Sequence, residues 1–96
     1  MDKEEVEGII ETLEEESTSV GFPCRVILYN DEVHTFEEVI VQLIKAVGCS
    51  FEKGRNFAFE VHVKGKAHVF SGDLPSCLKV TSVLEEIALH TQIFSE

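Results

Sequence analysis

Asn30-Asp31-Glu32-Val33-His34-Thr35-Phe36 follows the apolar run Arg25-Val26-Ile27-Leu28-Tyr29 and opens a stretch of helical periodicity. The run before it, after Pro23, reads as a short buried strand. From Thr35 onward the period changes. Phe36, Val39, Ile40, Leu43, Ile44 and Val47 recur on one face of a helix. Thr35 with Glu38 makes a capping box, and Gly48 supplies the stop. An amide, two carboxylates and an imidazole therefore stand at one strand-to-helix junction. Apolar residues beside them are candidates for a pocket wall. Without other information, Asn30-Asp31-Glu32 also suits a plain turn and cap.

Further along, residues 50–63 admit two readings. Ser50 is a helix cap with Glu52 in the first turn. Yet Phe57, Phe59, Val61 and Val63 alternate, and Lys64-Gly65 suits a hairpin turn. Local pattern leans slightly to the hairpin. Lys66 to Ser71 then form a second strand. Asp73 caps another helix with Pro75 in its first turn, and Leu74, Leu78, Leu84, Ile87 and Ala88 supply its core face. Thr91 to Phe94 close the chain as a last strand.

The 96 residues make one domain with a modest core. The formal net charge of −10 disfavours nucleic acid and anionic membranes, which need clustered cations. That charge is lopsided. Residues 1–16 hold eight acids and one base, whereas residues 17–96 hold the other 10 acids and 7 bases. Residues 1–22 are thus expected to be an acidic extension, flexible or partly helical, with Val6, Ile9, Ile10 and Leu13 as an apolar stripe. The domain proper is expected over residues 23–96. No run is long enough to span a bilayer, and the N-terminus lacks a signal-peptide pattern. Cys24, Cys49 and Cys77 fit neither a disulfide framework nor a zinc site. Reduced thiols in a cytoplasmic protein are expected.

No metal-ligand spacing links His34, His62, His68 and Asp31. No cysteine has a local histidine and carboxylate pattern, and no glycine-rich phosphate loop is present. The expectation is a binding module without catalysis, metal or cofactor.

Taken together, Arg25 to Phe36, the helix after it, Glu60-Val61-His62, Gly65-Lys66-Ala67 and Lys79-Val80 resemble the ClpS adaptor of the Clp AAA+ protease in the bacterial N-end rule. The Asn-Asp-Glu-Val-His-Thr wording is also similar to the ClpS-like domain of eukaryotic N-recognin ubiquitin ligases. The resemblance covers residues 23 to about 94. It implies an α+β fold, a three-stranded antiparallel sheet packed against three helices in the order β-α-α-β-α-β. It also implies that residues 50 to about 62 are helical.

Functionally, the resemblance implies capture of proteins whose first residue is a large hydrophobe, with delivery to the N-terminal domain of a Clp AAA+ unfoldase by a monomeric adaptor. The family's amine-binding residues match Asn30, Asp31 and His62. Its side-chain pocket matches Glu32, His34, Phe36, Val39, Leu43, Ala58 and Val61. Lys79 matches the lysine that docks the unfoldase. This chain departs from the bacterial pattern in having His34-Thr35-Phe36 for Thr-Pro-Met and Ala58 for a gatekeeper that is often Met. The alternative is a ClpS-like interaction scaffold whose ligand binding is altered or lost.

A ligand ammonium offers three donors. A carboxylate on Asp31, the Asn30 carbonyl and a neutral nitrogen of His62 are matching acceptors. Replacing a bulky gatekeeper by Ala58 is expected to admit Ile or Trp.

Overall fold

The computed structural model describes residues 23–96. The acidic extension read at residues 1–22 lies outside the described residues. Six elements follow in order: β1 Cys24–Tyr29, α1 Phe36–Val47, α2 Phe51–Lys64, β2 Lys66–Gly72, α3 Leu74–Glu85 and β3 His90–Ser95. The three strands form one antiparallel sheet in the order β2-β1-β3. The β-α-α-β-α-β arrangement is the one the resemblance implied.

Alternation along β1 decides which face of the sheet is covered. Cys24, Val26 and Leu28 are buried, while Arg25, Ile27 and Tyr29 point the other way. The buried side meets Leu43 of α1, Val61 of α2, and Cys77, Val80 and Leu84 of α3. Leu28, Leu43, Leu84, Val26 and Cys77 are the largest fully buried side chains. Burial pushes the thiols of Cys24 and Cys77 up, so neither is a thiolate near neutrality. Val69 adds a residue opposite the Val26–Ile27 step, a bulge in the β2 edge. At the opposite end of the sheet, the Glu96 N–H donates to the Pro23 carbonyl at 3.0 Å. The two ends of the described segment therefore meet.

Caps set the helix limits. The Thr35 Oγ1 accepts from the Glu38 N–H at 3.1 Å, and the Thr35 N–H donates to the Glu38 carboxylate at 2.8 Å. Gly48 closes α1 with a left-handed φ of 75°. Ser50 caps α2, which runs to Lys64. The hairpin favoured by local pattern does not form. Its alternation misled because Phe59 is 60% exposed, so it lies on the solvent side of a helix and not in line with the buried Val61.

The third helix also differs from expectation. Its buried residues are Cys77, Val80, Thr81 and Leu84, and Leu78 is 51% exposed. The helix stops at Glu85, and Ala88 is exposed with φ 65°, a turn residue and not a core one. Leu89 takes the buried place next to it. Buried Gln42 joins α1 to the end of α3. Its amide donates to the Val83 carbonyl at 2.6 Å and to the Glu86 carboxylate at 3.3 Å.

Candidate functional site

The strand-to-helix segment between β1 and α1 is held at both ends. Where β1 stops, the Asn30 N–H donates to the Gly65 carbonyl at 2.9 Å. Gly65 is the left-handed cap of α2, whose last turn carries His62. This one bond brings Asn30 and His62, 32 positions apart in sequence, to the same end of the sheet.

Asp31 shapes the turn itself. Its Oδ1 accepts from the N–H groups of Val33 and His34, each at 2.9 Å. Its Oδ2 accepts from Nδ1 of His34 at 2.7 Å. The other ring nitrogen of His34, Nε2, faces the carbonyl of Ile87 in the turn after α3. Both nitrogens therefore face acceptors, and a ring satisfies both only when each carries a proton. The bond to the Asp31 carboxylate, then the Ile87 carbonyl, raises the His34 pKa above the ordinary imidazole value. Burial opposes this, and the negative charges of Asp31 and Glu38 add to it. For Asp31, burial pushes the carboxyl up. Hydrogen bonds from the N–H groups of His34 and Val33 and from the His34 ring outweigh it, so its pKa is held below the usual carboxylate value.

A cavity of about 400 Å³ opens against this turn. Asn30, Asp31, Glu32 and His34 line it from the turn, Phe36 and Val39 from α1, and Ala58, Val61 and His62 from α2. Its lining mixes polar and apolar groups. The polar groups include Asn30, Asp31 and His62. The apolar wall is Val39, Ala58 and Val61, with Ala58 only 3% exposed and Phe36 at the mouth.

Of the ten residues expected in the amine site and pocket, Leu43 is not among those lining the cavity. It lies one turn beyond Val39 and is fully buried among Val26, Leu28 and Leu84. Lys79 is exposed on α3, away from the cavity and beside the exposed Leu78. Thr35 lines the cavity as well as capping α1. A smaller hollow of about 20 Å³ continues inward to Leu28 and Leu89. Neither leucine was expected there, since each reads in sequence as ordinary core.

The arrangement is chemically one-sided. Asp31 and exposed Glu32 bring negative charge to the lining, and no Lys or Arg is among the lining residues, while the ring of His34 is engaged by Asp31 and Ile87. Such a lining favours a cationic donor over an anion. Asp31 has three of its roughly four acceptor positions filled, leaving one on Oδ2.

Comparison with known proteins bears on this geometry. Over 58 residues the chain is 43% identical to the human E3 ubiquitin-protein ligase UBR2, covering 60% of this chain. Over 74 residues it is 39% identical to mouse UBR2, covering 77% of this chain. The chain spans only 3% and 4% of those two ligases. Among solved structures, Agrobacterium tumefaciens ClpS2 bound to L-phenylalaninamide superposes with a TM-score of 0.70 at 24% identity, covering 79% of this chain and 99% of that one. The family model described as ATP-dependent Clp protease adaptor protein ClpS matches residues 22–93, most of the chain, and the protein is a member of the ClpS family.

Proposed function

We propose that this protein binds the free N-terminus of proteins that begin with a large hydrophobic residue and delivers them for degradation. The single observation that carries this reading is one cavity lined both by the acceptors Asn30, Asp31 and His62 and by the apolar Val39, Ala58 and Val61. An α-ammonium and the side chain on the next carbon are separated by a fixed short distance. A cavity lined by both acceptors and apolar groups reads both at once.

In this reading the ligand ammonium donates to the open position on Asp31 Oδ2, to the Asn30 side-chain carbonyl and to a neutral nitrogen of His62. Each such bond contributes about 1.5–3 kcal/mol when desolvated. Burying a Leu or Phe side chain adds roughly 1.5–3 kcal/mol. Exposed Glu32 and Phe36 frame the mouth, with the covered ring of His34 behind them. The small Ala58 leaves room for Leu, Phe, Tyr, Trp and also Ile. The ligand named with the bacterial ClpS2 structure, L-phenylalaninamide, joins a free amine to a benzyl side chain and so has this chemistry.

ClpS family membership supports a Clp AAA+ unfoldase as the recipient, with exposed Lys79 as the docking contact. Similarity to UBR2 favours a second recipient, a ubiquitin-ligase assembly that uses the same cavity.

Calorimetric titration with peptides beginning Leu, Phe, Ile and acetyl-Leu tests the site. Binding of the first three and none by the acetylated peptide is the expected result. Equal binding with and without the acetyl group would overturn it.

A further inference from the structure

The face of the sheet turned away from the helices has a chemistry of its own. Register sets Arg25 between Ser71 and Phe94 at one end of β1, and Tyr29 between Lys66 and His90 at the other. Arg25, Ile27, Tyr29, Lys66, His68 and Phe94 line a broad depression of about 470 Å³ across this face. None of the six lines the cavity beside the Asn30–Phe36 turn. The floor is apolar, with half-buried Ile27 and Tyr29 and exposed Phe94. The Arg25 guanidinium lies 5.8 Å from the Phe94 ring, and the Tyr29 hydroxyl donates to Gln92 at 2.8 Å.

Charge separates between this face and the remainder. Among the described residues, the three strands contain no Asp or Glu. Every described carboxylate lies on the helices or their flanking turns, except Glu96 just after β3, which accepts from Ser71. Among the described residues neither Arg25 nor Lys66, both exposed, pairs with a carboxylate. The spacing of these two cations is itself informative. Four strand steps separate Arg25 from Tyr29, about 13 Å, and Lys66 stands across from Tyr29. In an extended peptide, side chains four positions apart point the same way at that same separation, and the side chain midway faces the same surface.

We propose that this face docks an extended acidic segment of a partner protein, with carboxylates four positions apart taken by Arg25 and Lys66 and the apolar side chain between them laid over Ile27, Tyr29 and Phe94. Charge selects this occupant over others. Residues 17–96 hold 10 acids and 7 bases, so the domain as a whole repels a polyanion, and two fixed cations are few for a phosphate chain. A second copy related by a two-fold axis would set cation against cation. A short acidic stretch with an apolar centre matches the cations and the floor together. It needs no free amine, so this docking and the reading of the cavity stand or fall separately.

The probe is the peptide Ala-Glu-Ala-Leu-Ala-Glu-Ala, acetylated and amidated, which lacks the amine that the cavity reads. Backbone amide shifts of the full chain are followed as it is added. Saturable shifts are expected at Arg25, Ile27, Lys66 and Phe94, and none at Asn30 or Ala58. Binding should weaken about tenfold between about 0.02 M and about 0.5 M salt, as the screening length drops several-fold. The Arg25→Glu/Lys66→Glu variant should lose this probe and take up Ala-Lys-Ala-Leu-Ala-Lys-Ala, blocked in the same way, which the wild type should ignore. An unfolded variant would gain no new ligand, and the wild type's choice between the two probes decides the matter even then. Absence of saturable strand shifts would overturn the proposal, as would equal binding of the acidic and basic probes. Oligouridylate binding to these amides more tightly than the acidic peptide would overturn it in favour of a nucleic-acid surface. A sedimentation mass that doubles with concentration while the same four amides shift would overturn it in favour of a second copy.

Discussion

His34 works at the scale of a single ring. It clamps the Asn30–Phe36 turn to the turn after α3, and because both of its partners are acceptors the clamp is complete only when the ring carries both protons. Its raised pKa means that its stabilising contribution is complete below the ordinary imidazole value of about 6.5. That contribution is lost as pH rises through the higher folded value. Asp31 has the opposite sign. Its lowered pKa gives a contribution complete above the ordinary carboxylate value of about 3.9, lost as pH falls through the folded value. Thermal unfolding followed against pH should therefore show a wild-type advantage over His34→Gln that shrinks toward alkaline pH. An advantage that grows with pH would refute the clamp.

Ala58 makes its own prediction at this scale. Ala58→Met should fill part of the cavity and weaken Ile- and Trp-initiated peptides about tenfold, near 1.4 kcal/mol, with Leu-initiated peptides affected less. Parallel titrations of the two proteins check it.

At the scale of elements, local chemistry decided how much could be read in advance. The first helix was legible because its period, its Thr35–Glu38 box and its Gly48 stop all agree within a few positions. Thr35→Ala should cost about 0.5–2 kcal/mol in denaturant unfolding, with no change in the slope. The second helix was not legible locally. Phe51, Phe59 and Val63 are exposed, so its apolar residues follow no single stripe. The end of α3 was misplaced for a different reason. Ala88 has an apolar side chain but takes a left-handed φ of 65°, which no propensity scale signals. Ala88→Gly should accordingly raise the thermal midpoint, by the equivalent of about 1 kcal/mol. A lower midpoint would show that the turn is held by something other than its backbone preference.

For the molecule as a whole, the succession of strands and helices was accessible from sequence together with family resemblance, and so was the gathering of Asn30, Asp31 and His62 in one place. The depth of the cavity was not. Leu28 and Leu89 come from opposite ends of the described chain and meet beneath Val39 only once α3 is packed. Leu43 was misjudged by the same blindness to packing. It shares a helix face with Val39, but one turn further along that face has already entered the core. The tie that orients α1 against α3 is also non-local. Gln42→Ala leaves the buried Val83 carbonyl without its donor and should cost about 1–3 kcal/mol in chemical unfolding. If the loss is within error of zero, another group must satisfy that carbonyl.

The bond from Glu96 to Pro23 sets the entry and exit of the folded unit side by side, at the far side of the sheet from the cavity. A unit built this way can be spliced into the surface loop of a giant polypeptide as a self-contained cassette, with its host's own architecture left in register. Neighbouring ends suit both settings in which similar segments are found, nearly the whole of the ClpS2 chain and a few per cent of UBR2.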